Sequence, residues 1–202
     1  MPETSESSLR KKALVLVWIG EIWNVFEATI AIWAALLAGS VALLAFGLDS
    51  VIELFAGAVM IWRFWKEHEN QETETEEKAL KMIGFTFFLL AAFIVFQSVA
   101  TLLGYFGEPQ ESQWGIFITI SSAVLMTVLF VYKTRIAKQL GSRALRAEAY
   151  ESLFCDLQDL IVLVGLGLNS LFGWWWADPV VALVLVPLLI KEGLESFEKE
   201  ND

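Results

Sequence analysis

Six runs of apolar residues, each close to 20 residues or longer, fill most of this 202-residue chain: roughly 13–37, 40–65, 80–106, 113–133, 145–172 and 177–195. About 20 apolar residues is the length at which an α-helix crosses the hydrocarbon core of a bilayer. Only helices or closed barrels satisfy every backbone polar group there. The runs therefore predict an all-α, polytopic membrane protein of six transmembrane helices. Hydrophobic residues make up 56% of the chain, which leaves no stretch for a separate soluble module, so 1–202 reads as one six-helix transmembrane domain.

The basic residues predict how the helices are oriented. Lys and Arg occur at Arg10–Lys12, Arg63–Lys81, Lys133–Arg146 and Lys191–Lys199, while the alternate connections around Gly39, Gly107–Gln113 and Asn169–Asp178 contain none. The positive-inside rule then places both termini in the cytoplasm. Trp174, Trp175 and Trp176 fit the outer interface, and Trp62 and Trp65 the inner end of the second span. The basic-then-apolar start resembles a signal peptide, but its apolar run is too long and no small-x-small cleavage motif follows it, so it is expected to remain as the first helix.

The net charge of −10 resides mainly in the tails and in the segment Lys66–Lys81, where Glu67, Glu69, Glu72, Glu74, Glu76 and Glu77 surround His68. A solvated loop is the simpler reading, with concentration of cations as the alternative. One histidine cannot form a histidine-rich metal loop. The single cysteine, Cys155, excludes an intrachain disulfide and falls within the fifth span.

Polar residues inside the spans are the informative ones, because a carboxylate at mid-bilayer costs at least about 2.5–3.5 kcal/mol on insertion scales. Asp49 and Glu53 stand four apart in the second span and so share a helix face. The first span has Glu21, Asn24 and Glu27, the third Gln97, and the fifth Glu151, Cys155, Asp156, Gln158 and Asp159. These faces should turn toward the bundle interior or a water-filled cavity. The fourth and sixth spans are free of acids in their centres and read as scaffold or dimer surface, with Asp178 and Pro179 as N-cap and first residue of the sixth. At 1.5 Å rise per residue, Asp49 and Glu53 lie roughly 15 and 20 Å below the outer end, and Asp159, Cys155 and Glu151 roughly 18, 24 and 30 Å. Those depths let the second and fifth spans meet near mid-membrane. They slightly favour Cys155 and Asp159 over Glu151.

Other chemistries find little support. The chain has no phosphate-cradling glycine motif, no Ser-His-acid set and no Gly-x-Gly-Asp motif of intramembrane aspartyl proteases. Its basic residues hug the membrane ends and form no nucleic-acid face. An enzyme is not expected, nor a bound cofactor.

Three segments carry a resemblance. Gly39-Ser-Val-Ala-Leu-Leu-Ala-Phe-Gly-Leu-Asp-Ser-Val-Ile-Glu53 resembles the second helix of the cation diffusion facilitator (cation efflux) family, which bears a ligand pair at i,i+4. Leu145-Arg-Ala-Glu-Ala-Tyr-Glu-Ser-Leu-Phe-Cys155 resembles the entry and ligand pair of its fifth helix, and Gly173-Trp-Trp-Trp-Ala-Asp-Pro-Val-Val-Ala-Leu183 the turn into its sixth. The resemblance implies metal ligands at Asp49, Glu53, Glu151 and Cys155, with Glu and Cys where the family usually has His and Asp. Asp159 and Glu27 are second-tier candidates, able to replace a nominal ligand or to accept a proton. The chain ends soon after the sixth span, like the short, membrane-only branch without a cytosolic C-terminal domain.

Together with the buried acids, the resemblance implies a divalent-cation transporter of a prokaryotic inner (plasma) membrane, expected to be a homodimer that exports Zn²⁺ or a similar metal by alternating access. Three carboxylates and a thiolate suit Zn²⁺. Four anionic ligands crowded in a low dielectric should keep some protons until metal displaces them, which points to proton exchange. Alternatives are a non-transporting membrane metal sensor or regulatory subunit, and a proton or monovalent-cation pathway. At the residue level, Asp49 and Glu53 as an interhelical polar contact, and Cys155 as a small buried packing residue, stay open.

Overall fold

A computed structural model describes the backbone of residues 2–66 and 74–198, and the side chains of residues 8–55, 58, 81, 82, 84–142, 145, 146 and 149–195. The acidic segment around His68 and the side chains of Trp62 and Trp65 lie outside them. The described chain is six helices: α1 (Pro2–Ala38), α2 (Val41–Lys66), α3 (Glu74–Leu102), α4 (Gln113–Leu140), α5 (Arg143–Phe172) and α6 (Ala177–Glu198). No strand occurs among the described residues. Within α1, α3 and α4, the segments Ser8–Ala38, Gly84–Leu102 and Gln113–Leu140 are long and apolar enough by themselves to cross a membrane. Large apolar side chains face outward along them, such as Phe85, Leu89, Phe93 and Phe96 on α3, while Phe87, Leu90, Ala91 and Ile94 of the same helix are buried. That inside-out surface is what lipid solvates.

Four helix ends differ from the sequence expectation: α1 begins at Pro2 rather than near 13 and α3 at Glu74 rather than near 80, and two C-terminal ends shift as well. The third helix stops at Leu102 rather than near 106, because Gly104 takes a left-handed φ of 80° and turns Tyr105 and Phe106 into the connection. The fourth continues to Leu140, well beyond 133, since its charged end suits water as well as helix; the left-handed Gly141 then closes it.

α1 packs on α2 and α4, α4 on α5, and α2 touches α3, α5 and α6, while α3 and α6 form a pair alongside. Small residues allow this closeness, since packing rather than a hydrophobic drive holds helices together in lipid. Ala31, Ala34, Ala35 and Ala38 of α1 and Ala42 and Ala45 of α2 are all buried. A Cβ on Gly47 would stand 2.8 Å from Ile32 Cγ1, so the α1–α2 crossing requires glycine, and one on Gly165 would stand 3.0 Å from Val181 Cβ, a tight contact at the α5–α6 crossing.

The end of the bundle that carries Gly39 is tied by polar contacts. Asn169 Nδ2 donates to the Pro109 carbonyl at 3.0 Å, and Gln110 N–H to the Ala38 carbonyl at 2.7 Å. Trp33 and Trp114 meet edge to face at 6.1 Å, and Trp174 stacks on Trp176 at 5.3 Å. Asp178 corrects the sequence reading. It lies inside the first turn of α6 and serves another helix: its carboxylate accepts from the Ser40 hydroxyl, from Val41 N–H at 2.7 Å and from Ala42 N–H at 3.3 Å. Ser40 in turn accepts from Leu43 N–H at 3.0 Å. The start of α2 has free N–H groups that need an acceptor, and its 0%-exposed partner comes from α6.

Candidate metal site

The fold brings α1, α2, α4 and α5 together around a chain of polar side chains in an otherwise apolar interior. Glu53 of α2 lies between two helices. Its Oε1 accepts from Cys155 Sγ at 3.0 Å, and its Oε2 from Asn24 Nδ2 at 3.3 Å. A thiol from α5 and a carboxylate from α2 thus occupy one spot.

Asp49, one turn away on the same face, is buried. Together with Gln158, Ala45, Phe46, Leu185 and Leu189 it lines a crevice too tight for a water molecule, and its Oδ1 has no hydrogen-bond partner among the described residues. Glu53 and Asp49 are within electrostatic range of each other. Glu151 is exposed, yet its charge acts on both Glu53 and Cys155. Glu53 and Cys155 are therefore in contact, with Asp49 within electrostatic range of Glu53, and Glu151 and Glu27 within range of both. Among the described residues no three of His, Cys, Asp and Glu close into a ready metal cage.

The second-tier residues gather one turn nearer the Gly39 end. Glu27 of α1 accepts from Trp23 Nε1 at 2.8 Å, from Ser50 Oγ at 2.7 Å and from the Ser122 hydroxyl of α4. Asp159 of α5 is fully buried beside Ser122 and Glu27, and neither of its oxygens has a hydrogen-bond partner among the described residues. Asp156 turns elsewhere, accepting from Thr127 Oγ1 at 2.9 Å. Gln97 is half-buried on α3.

Several contributors escaped the sequence reading. Ser122 comes from a helix expected to be scaffold, and Glu192 of α6 stands near enough for its charge to act on Asp49. Lys133, expected at a membrane end, is only 4% exposed, with Nζ 3.1 Å from Ser152 Oγ on α5. A serine in an apolar span was the one available signal for Ser122. Nothing in the pattern separated Lys133 from its exposed neighbours.

Known proteins are similar to much of this chain. A family model described as the cation efflux transmembrane domain matches residues 79–200, a stretch that begins after Asp49 and Glu53. Transmembrane protein 163 of Xenopus laevis is 24% identical over 189 residues, covering 92% of this chain and 66% of its own length. Metal tolerance protein 4 of Oryza sativa subsp. japonica is 25% identical over 202 residues, covering 92% and 48%. An uncharacterized transporter of Synechocystis sp. is 29% identical over 154 residues, covering 72% and 49%. The chain spans about half to two thirds of the length of these curated relatives.

Proposed function

This chain belongs to the cation efflux family, and from that premise we propose that it exports Zn²⁺ or a similar divalent metal, in exchange for protons, by alternating access in a homodimer. The family moves metal cations across membranes, so transport rather than enzymatic catalysis is its activity. The observation that carries the finer reading is the 3.0 Å contact of Glu53 with Cys155, which joins α2 and α5 at two of the positions where the family resemblance puts ligands. Asp49 and Glu151 complete the proposed set, within side-chain and helix adjustments that a transport cycle would make. The metal is cargo here. A thiolate with three carboxylates suits Zn²⁺ and disfavours purely oxygen-seeking ions. Ligands must lose protons to bind, so metal uptake releases them.

The protein is an integral membrane protein, and a prokaryotic inner (plasma) membrane is the compartment proposed for it. The plant and frog relatives show that likeness at this level extends to eukaryotes, so membrane fractionation of the source cells decides the compartment.

Zn²⁺ flux into sealed vesicles is the direct test. The parent should move Zn²⁺, and Asp49→Ala or Glu53→Ala should abolish that flux in protein that remains folded. Normal flux in either variant at low metal concentration rules out the α2 site. The arrangement among the described residues, a bound pair without a closed cage, also suits a metal sensor, which would bind Zn²⁺ in the same vesicles without moving it.

A further inference from the structure

Glu27, one turn nearer the Gly39 end, is within electrostatic range of Glu53 and Cys155 but has hydrogen-bond partners of its own. Glu27 is 2% exposed and takes hydrogen bonds from donors in three places: Trp23 on its own helix, Ser50 on α2 and Ser122 on α4. Asp159 reaches the same region from α5, fully buried, within electrostatic range of Glu27 and with Ser122 beside it. Both Asp159 oxygens are without a hydrogen-bond partner among the described residues. Ionised carboxylates only accept, and leaving one buried and unmet is costly. The group therefore has acceptors to spare, and the serine hydroxyls that donate to Glu27 still hold free lone pairs.

We infer that Glu27, Asp159, Ser50 and Ser122 form a second cation site, all-oxygen and distinct from the Cys155 site, that takes one hard divalent cation. The charge count selects the dication. One divalent ion neutralises two carboxylates, whereas a monovalent ion leaves an uncompensated charge in a low-dielectric interior. The donor type selects the class. Carboxylate and hydroxyl oxygens, with neither thiol nor imidazole, favour Mg²⁺, Ca²⁺ or Mn²⁺ over Zn²⁺ and Cd²⁺.

Two probes on the purified full chain in detergent separate this site from the proposed transport site. Mn²⁺ binding is read from loss of the free-ion paramagnetic resonance signal, and Cd²⁺ binding from thiolate-to-metal absorption at Cys155. The parent should bind both. Asp159→Asn and Glu27→Gln, each nearly isosteric, should weaken Mn²⁺ binding by about tenfold or more and leave the Cd²⁺ absorption in place. Cys155→Ser should do the reverse. Mn²⁺ binding that neither substitution moves, or that disappears together with the Cd²⁺ absorption in a folded variant, overturns the second site. Should Asp159→Asn fail to fold, Ser122→Ala keeps both carboxylates and carries the same expectation and the same overturning result. A parent without Cd²⁺ absorption sinks the thiolate reading of the transport site and leaves Mn²⁺ to decide this one.

Discussion

Cys155 is where two readings of one residue part. Its thiol is buried with Met126 and Leu129, as a packing residue would be, yet it also touches the Glu53 carboxylate at 3.0 Å. If the sulfur is a ligand, Cys155→Ser replaces an anionic donor with a neutral hydroxyl and should weaken Zn²⁺ binding by about tenfold or more. Cys155→Asp should shift transport preference from Zn²⁺ and Cd²⁺ toward Mn²⁺. Competition assays across Ala, Ser and Asp variants check this, and a Zn²⁺-to-Mn²⁺ ratio constant across them would leave Cys155 with packing alone. Asp49 and Glu53 were legible in the sequence because two acids four apart in an apolar run are too costly in lipid to be there without a partner. Ser122 and Lys133 were not, since a serine in an apolar span is only a weak signal and nothing local distinguishes a buried lysine from one at a water boundary.

At the scale of helices, the telling contact is the hold of α6 on the start of α2. Asp178 binds Ser40, Val41 and Ala42, and α2 then carries Asp49 and Glu53. Asp178→Ala leaves two buried N–H groups without their acceptor and should cost about 1–3 kcal/mol of stability. Asp178→Asn keeps one acceptor oxygen and should cost less. Thermal unfolding in detergent measures both, and equal stability of parent and Ala variant would remove the latch. A second test lies at the α1–α2 crossing. Gly47→Ala puts a methyl against Ile32, and a contact that close should cost about 1–3 kcal/mol through overpacking while loosening the Ser50–Glu27 hydrogen bond. The approximate place of each helix along the chain was readable from its apolar run. The partner of each helix end was not, because Asp178 and Ser40 are 138 residues apart.

For the whole molecule, charge asymmetry predicts that both termini share the cytoplasmic side. In a Cys155→Ser background, single cysteines placed near residue 8 and at Gly107 should label from opposite sides of sealed vesicles. Labelling from one side would refute the assigned topology. Proton exchange is tested by calorimetry of Zn²⁺ binding in buffers of differing ionisation enthalpy. The observed heat should vary with buffer because protons leave the ligands as metal enters, and a heat indifferent to buffer would end that reading.

Sequence by itself determined the all-helical membrane class, the number of helices and the acid pair on α2, because span length and helical periodicity are local properties of the chain. Family membership was legible too, through segments such as Leu145–Cys155 and Gly173–Leu183. Tertiary structure decided which acids share a place. It set Glu53 against Cys155 and Asn24, and Glu27 with Ser50 and Ser122 beside Asp159. It also turned Asp178 from the cap of its own helix into the cap of another. Those choices depend on how six helices rotate and cross, which small residues such as Gly47 and Gly165 permit at particular points. Helix rotation is fixed by packing against neighbours, and no single helix's sequence contains its neighbours.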